Sequence, residues 1–223
     1  MRLYSGSYKG ELREVFLIFV GITLSLLFND WYNSLIENRT EHRLLVELKS
    51  NLLADIKVLS SCKNESEKAF MHTNRVINFL NSNATLDEQL KLDFGYLPTV
   101  DLVHFNNSAY ESFKSIGFQI IENDSIRIYL SNYQGQQPRL SLRTEMILNH
   151  NVQNLWPILM LEFSQYKLWT KNNPKNIKQI KANRYLIGVL ERTQQLRIFL
   201  STDYDQMIDY LSGFIRKIDD RLK

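Results

Sequence analysis

The sequence holds a single cysteine, four prolines, eight glycines and four histidines among its 223 residues. Each shortage removes a class of structure. Cys62, alone, permits no intrachain disulfide and no cysteine-based zinc site within one chain. So few prolines and glycines argue against a turn-rich β fold and for long helices. The histidines His42, His72, His104 and His150 lie far apart, and no His-Glu-x-x-His pattern pairs any of them. There is no Gly-rich phosphate loop and no Gly-x-Ser-x-Gly elbow. Asp203, Asp205 and Asp209, then Asp219 and Asp220, are the densest acids, but they lack the glycine and spaced glutamate of a calcium loop. We therefore assign no catalytic residue, no cofactor and no metal ligand. The net charge of +3 is too small to mark a nucleic-acid binder, so no nucleic-acid partner is expected.

Charge is also missing from one stretch, Val15 to Phe28, where the polar side chains are Thr23 and Ser25 alone. Both hydroxyls can bond back onto a helix backbone. Fourteen residues span about 21 Å of helix, against roughly 30 Å of bilayer hydrocarbon. Leu12 and the belt residues Trp31 and Tyr32 close most of that gap, with Arg13 free to snorkel. A buried core helix and a cleaved signal peptide are the competing readings. No small-x-small cleavage site follows the run, so we expect it to be retained as a membrane anchor. Arg2, Lys9 and Arg13 precede it, against Arg39 and Arg43 in the comparable stretch after it. That margin places the N-terminus in the cytoplasm. Gly21, with Thr23 and Ser25, is where a second copy of the span would pack closely.

The remainder reads as helix. Leu45, Leu48, Leu52, Leu59 and Cys62 fall on alternating three- and four-residue steps, with Ile56 beside the gap at Asp55, and Leu44, Leu53 and Val58 widen the stripe. No proline or glycine lies between Gly21 and Gly95, so the anchor is predicted to run into this helix as a rigid stalk. A second stretch, about 65–80, ends at the polar run Asn81–Asn83. Thr85 and Glu88 make a capping-box pattern for a short helix near 86–92. Ser108 and Glu111 make another, before a helix that carries Tyr110, Phe113 and Ile116 and stops at Gly117. A helix over 125–133, capped by Asn123 or Asp124, is predicted to close at Gly135 and Pro138. This helix–turn–helix offers only Arg127 as a basic reader, and compact packing explains it better than DNA binding. A helix over 140–169, kinked at Pro157, and a last helical region over 176–223, broken near 201–203, complete the chain.

One charge feature stands out. Between Glu162 and Glu191 there is no acid, while Lys167, Lys171, Lys175, Lys178, Lys181 and Arg184 are present. Such a run is a candidate contact for anionic lipid or an acidic partner.

The chain resembles a bacterial family, common in Bacteroidota, of short membrane-anchored helical proteins catalogued as a domain of unknown function. The likeness lies in Gly10-Glu11, the apolar run with Gly21-Ile22, and Asn29-Asp30-Trp31-Tyr32-Asn33. It continues through Glu41, Leu44-Leu45, Glu47-Leu48, Asn51-Leu52 and Asp55, then Ala109-Tyr110-Glu111, Lys114-Ser115, Gly117, Ile121, Asn123, Leu130 and Asn132-Tyr133. The last 80 or so residues match only in helical character. The resemblance implies an architecture and a membrane setting, and it carries no catalytic residues to transfer.

Together these readings predict an all-α chain. Residues 1–13 form a cytoplasmic tail, 14–32 a single-pass transmembrane anchor containing Val15, Gly21, Thr23, Ser25, Phe28, Trp31 and Tyr32, and 33–223 a helical-bundle domain. The expected role is non-enzymatic: interaction with a protein partner, or sensing, from the bacterial inner membrane. A homo-oligomeric membrane component, channel-like or scaffold, is the alternative, and a hydrolase using His104 or Asp205 the remote one.

Overall fold

The computed structural model of the chain describes residues 8–223, with side-chain packing from Leu12 onward. Most of the tail assigned to residues 1–13, including the orienting charge of Arg2, lies outside the described residues. The fold is all-α: among the described residues there is no strand, only one isolated bridge between Phe163 and Pro174.

Helix α1 (Tyr8–Leu80) is unbroken for 73 residues, about 110 Å at 1.5 Å per residue. The expected anchor, stalk and second helical stretch are thus one element, consistent with the absence of proline and glycine after Gly21. Packing begins only at Glu41. From there Glu41, Leu45, Leu48, Leu52, Asp55, Leu59, Cys62, Ser66, Ala69, Thr73, Val76 and Leu80 are all buried on three- and four-residue steps. The helix that meets this seam is α7 (Arg184–Leu222), whose Leu186, Leu190, Thr193, Arg197, Leu200, Tyr204, Met207, Leu211, Phe214 and Ile218 repeat the same spacing. Such steps keep one narrow face towards a partner helix along its whole length.

The two helices run antiparallel. Arg221 reaches Glu41 (2.7 Å), Asp219 pairs with Lys49 (2.5 Å), Asp205 with Lys63 (2.6 Å), and Gln194 donates to the Phe70 carbonyl (2.9 Å). Shorter helices cover the remaining faces: α2 (Glu88–Phe94), α3 (Ser108–Ile116), α4 (Asp124–His150), α5 (Trp156–Glu162) and α6 (Ile177–Ala182). They divide the interior into two apolar clusters. One gathers α3, α4 and the C-terminal half of α7 around Leu45–Cys62; the other gathers α2, α5, α6 and the start of α7 around Val76–Leu80.

Several boundaries differ from the sequence expectation, each for a local reason. Helix α2 is capped by Asp87, whose carboxylate accepts from the Leu90 amide (2.7 Å), rather than by a Thr85–Glu88 box. Ser108 makes no cap either, because its hydroxyl bonds Asn51 and Glu47 on α1. Helix α4, capped by Asn123, passes straight through Gly135 and Pro138. Pro138 sits on the solvent face, while Leu130, Tyr133, Leu140, Thr144 and Ile147 bury one continuous stripe across it. That burial outweighs the roughly 3 kcal/mol that an interior proline costs. Ahead of Pro157 the chain makes one π-helical turn (Asn151–Leu155), and α5 ends at Glu162 instead of running to 169. The last region breaks at Asn183, which caps α7, and α7 continues unbroken through 201–203. Leu53, Val58 and Ile116 are exposed, so their stripes are narrower than expected.

Two glycines are required by geometry. At Gly117, φ is +108°, and a Cβ would strike the Gln119 side chain. At Gly95 a Cβ would meet the Thr170 backbone, where the Trp169 amide donates to the Gly95 carbonyl (3.0 Å). Gly117→Ala is expected to destabilise the protein by about 1–3 kcal/mol. Gly188→Ala, in open space on α7, should instead stabilise it by roughly 0.5–1 kcal/mol, with urea melts as the measurement.

Candidate functional site

The first feature is the uncovered end of α1. Val15, Phe16, Leu17, Ile18, Phe19, Ile22, Leu24, Leu26, Leu27, Phe28, Trp31 and Tyr32 are all exposed, and none of the span is buried against the body. This rules out the core-helix reading: the span has no core to sit in. The helix is long and apolar enough to cross a membrane. Soluble proteins rarely expose apolar surface on this scale. The Thr23 hydroxyl donates to the Phe19 carbonyl (2.9 Å), as expected, and nothing lies within 4 Å of a Cβ built on Gly21. Phe28 and Trp31 stand with ring centroids 5.6 Å apart, at the border of the apolar run.

The second feature lies in the seam between α1 and α7, between the two apolar clusters. There α1 presents small side chains, Cys62, Ser66 and Ala69, and α7 presents Arg197 at a core position. Arg197 is 2 % exposed. Its Nη2 donates to the Thr99 carbonyl (2.5 Å) and, less closely, to that of Leu97 (3.4 Å), but its Nε is buried with no partner. Among the described residues no carboxylate forms an ion pair with it. Burial lowers the guanidinium to about 10, opposed by Tyr204 and Asp101, so it stays charged at neutral pH.

Two cavities meet at Arg197 and Ser66. A small one of about 30 Å³ is lined also by Cys62, Tyr96, Asp101 and Tyr204. A groove of about 430 Å³ opens on the other side between Phe70 and Met71 of α1 and Ile198, Ser201 and Thr202 of α7, with Glu67 and Asp205 in its walls. Burial, with Asp101 nearby, raises the Cys62 thiol, which makes it a poor nucleophile. The seam position of Arg197, four residues from Thr193, three from Leu200 and seven from Tyr204, is a signal that the sequence carries.

Other polar groups are used to lock helices together. Asp93 of α2 is fully buried and accepts from Arg75 (2.6 and 2.7 Å), His72 (2.7 Å) and Gln89 (2.9 Å). Burial opposes its charge, but these bonds outweigh it and hold the carboxyl below its ordinary range. Asp55 fills the gap in the α1 stripe itself, accepting from Tyr133 (2.8 Å) and the Asn106 amide (2.9 Å); burial, only partly offset by these bonds, raises its carboxyl. His150 meets the Val189 carbonyl (3.1 Å), and Asp203 is held by Arg139 and Arg143. His104 and Asp205 are not brought together: Asp205 lies in the groove wall, bonded to Lys63, and His104 does not line it. Among the described residues no three metal-ligating side chains converge. Arg127 is occupied with the Ile121 carbonyl and Asp124.

The basic run lies at the end of α1 away from the apolar segment. Lys181 donates to the carbonyls of Ser82 (2.9 Å) and Ala84 (2.6 Å) just past that helix terminus, and covers the Phe79 ring. Arg184 bonds Asn81, Lys175 the Leu161 carbonyl, and Lys171 pairs with Glu88. Lys167 and Lys178 point their charges from exposed positions. Leu80 is some fifty residues beyond Trp31, so about 75 Å of helix separates this cluster from the aromatic border.

The fold and these two features define a class: an all-α protein whose longest helix joins an uncovered, membrane-capable segment to a helical body. No family model, curated protein or solved structure matches the chain.

Proposed function

We propose that the protein is a non-enzymatic, membrane-anchored helical sensor or interaction protein. Residues 14–32 cross the bacterial inner membrane once, the N-terminus lies in the cytoplasm and the body stands on the opposite side. One observation carries the reading: the helix with the uncovered apolar segment is also one wall of the Arg197 groove. An event in the groove therefore acts on the same rigid element that enters the bilayer. The likeness to the membrane-anchored bacterial family supports the setting, and the Lys/Arg margin supports the orientation.

A homo-oligomer is the second reading. The open face at Gly21, with Ser25 one turn further, favours it, because close backbone approach drives association in lipid.

Anchoring and orientation are tested together by alkaline carbonate extraction and a phosphatase fused to the C-terminus. The chain is expected to stay in the pellet, and the fusion to be active outside the cytoplasm. Release into the supernatant overturns the anchor; a silent fusion on a membrane-bound chain overturns the orientation alone.

A further inference from the structure

We propose that the end of the body farthest from the apolar span docks on a second, anionic bilayer, so that the chain bridges two membrane surfaces.

The net charge of the protein is gathered at that end. Residues 81–94 and 156–184 build it, and they hold seven lysines and arginines against four acids. The balance, +3, equals the net charge of the whole chain. Two of the four acids, Asp93 and Glu162, are buried, and Glu88 is shared by Lys91 (2.6 Å) and Lys171 (3.1 Å). The other bases keep their charge uncompensated. Lys175 and Lys181 donate to backbone carbonyls and Arg184 to the Asn81 side chain, all neutral acceptors. Lys167 and Lys178 are exposed.

Apolar side chains protrude among these charges. Leu161, at the end of α5, is 73 % exposed, more than any side chain of the apolar span, where Phe19 reaches 66 %. The Lys175 amide donates to the Glu162 carbonyl (2.8 Å) and its ammonium to that of Leu161 (2.8 Å), which sets Leu161 beside the start of α6. There Ile177, also exposed, is followed by Lys178. This combination fits an anionic bilayer: the apolar chains enter the boundary between headgroups and acyl chains, and the lysines meet the headgroup charge. Six of the seven bases are lysines, compact charges suited to a diffuse anionic surface, whereas paired recognition of a protein carboxylate favours the planar fork of arginine. The chain's own bilayer is out of reach, because rigid α1 holds this end about 75 Å from the aromatic border. For that geometry the proposal rests on the anchored reading.

The test places the full chain in phosphatidylcholine nanodiscs and floats them with protein-free vesicles. Chain and nanodisc scaffold are expected to float together with vesicles about one-third phosphatidylglycerol, not with pure phosphatidylcholine, and to be released by about 0.5 M salt. Lys167→Glu with Lys178→Glu should weaken the association at least tenfold, since each lysine near an anionic surface contributes roughly fivefold. Leu161→Ser, at an exposed position that leaves the core intact, should weaken it by roughly fivefold. No flotation with the anionic vesicles overturns the proposal, as does equal flotation with phosphatidylcholine or an unchanged association in the lysine variant. Binding of polyglutamate without binding of vesicles would make the occupant an acidic polypeptide and also overturn it. A chain that floats without the scaffold has entered the vesicle through its own span, which contradicts bridging. Failure of the anchor is read separately: such a chain leaves the nanodisc before any vesicle is added.

Discussion

Changing Phe19 and Ile22 together to arginine is expected to move the chain from the membrane fraction to the soluble fraction. The segment from Val15 to Phe28 carries eleven Leu, Ile, Val and Phe side chains. On an insertion scale these contribute roughly −3 to −7 kcal/mol, and each arginine near the centre of a span costs roughly 2.5–3.5 kcal/mol. Two central arginines therefore cancel the driving force for a span this short. Because Phe19 and Ile22 are exposed and the apolar span is not buried against the body, the substitution removes no core contact. The released protein should retain the thermal transition of the unaltered body. Quantitative fractionation with a melting curve on the soluble pool checks both halves; a double variant that stays in the pellet argues against a lipid-crossing role for the segment.

Asp93→Ala is expected to cost about 3 kcal/mol of folding stability. This is the low end for breaking a buried ion pair, because the partner Arg75 is 44 % exposed and regains water when released. The loss should be pH-dependent. The folded carboxyl lies below its unfolded value of about 3.9, so its contribution is complete above that value and disappears as pH falls through the folded one. The difference in stability between the two proteins should thus be constant at neutral pH and shrink below about pH 4. Urea denaturation at pH 7 and in mildly acidic steps measures it. A difference that persists unchanged in acid would mean that packing of α2, not the ionised carboxylate, is what Asp93 supplies.

Much of this architecture was legible because it is periodic. Leu45, Leu48, Leu52, Leu59 and Cys62 announced the seam of α1, and the lack of a breaker after Gly21 announced its continuity. The ends of helices were less legible. Gly135 and Pro138 look like stops when only the backbone is considered, and they fail as stops because the stripe from Leu130 to Ile147 is buried on the other face. Asp87 and Asn183, rather than the more patterned Thr85–Glu88 and Ser108–Glu111 pairs, provide caps, since which carboxylate or amide reaches an amide depends on the path of the preceding turn. The groove was missed for a different reason. Arg197 belongs to no sequence motif, although its spacing from Leu190, Thr193, Leu200 and Tyr204 puts it on the seam. The basic run is the more conspicuous signal. Lys171, Lys175, Lys181 and Arg184 in that run are engaged by the chain itself, two on backbone carbonyls and two on side-chain oxygens.

The central claim is that one rigid helix carries the membrane-capable segment into the body and lines the groove. Pulsed electron–electron resonance between spin labels at Asn33 and Asn74, both exposed on α1, tests it in the membrane-reconstituted chain, with Cys62 replaced by serine. Forty-one residues of uninterrupted helix predict a single narrow distance of about 60 Å. A broad distribution, or one centred well below that value, would mean that α1 breaks between the apolar segment and the body, and would contradict the account.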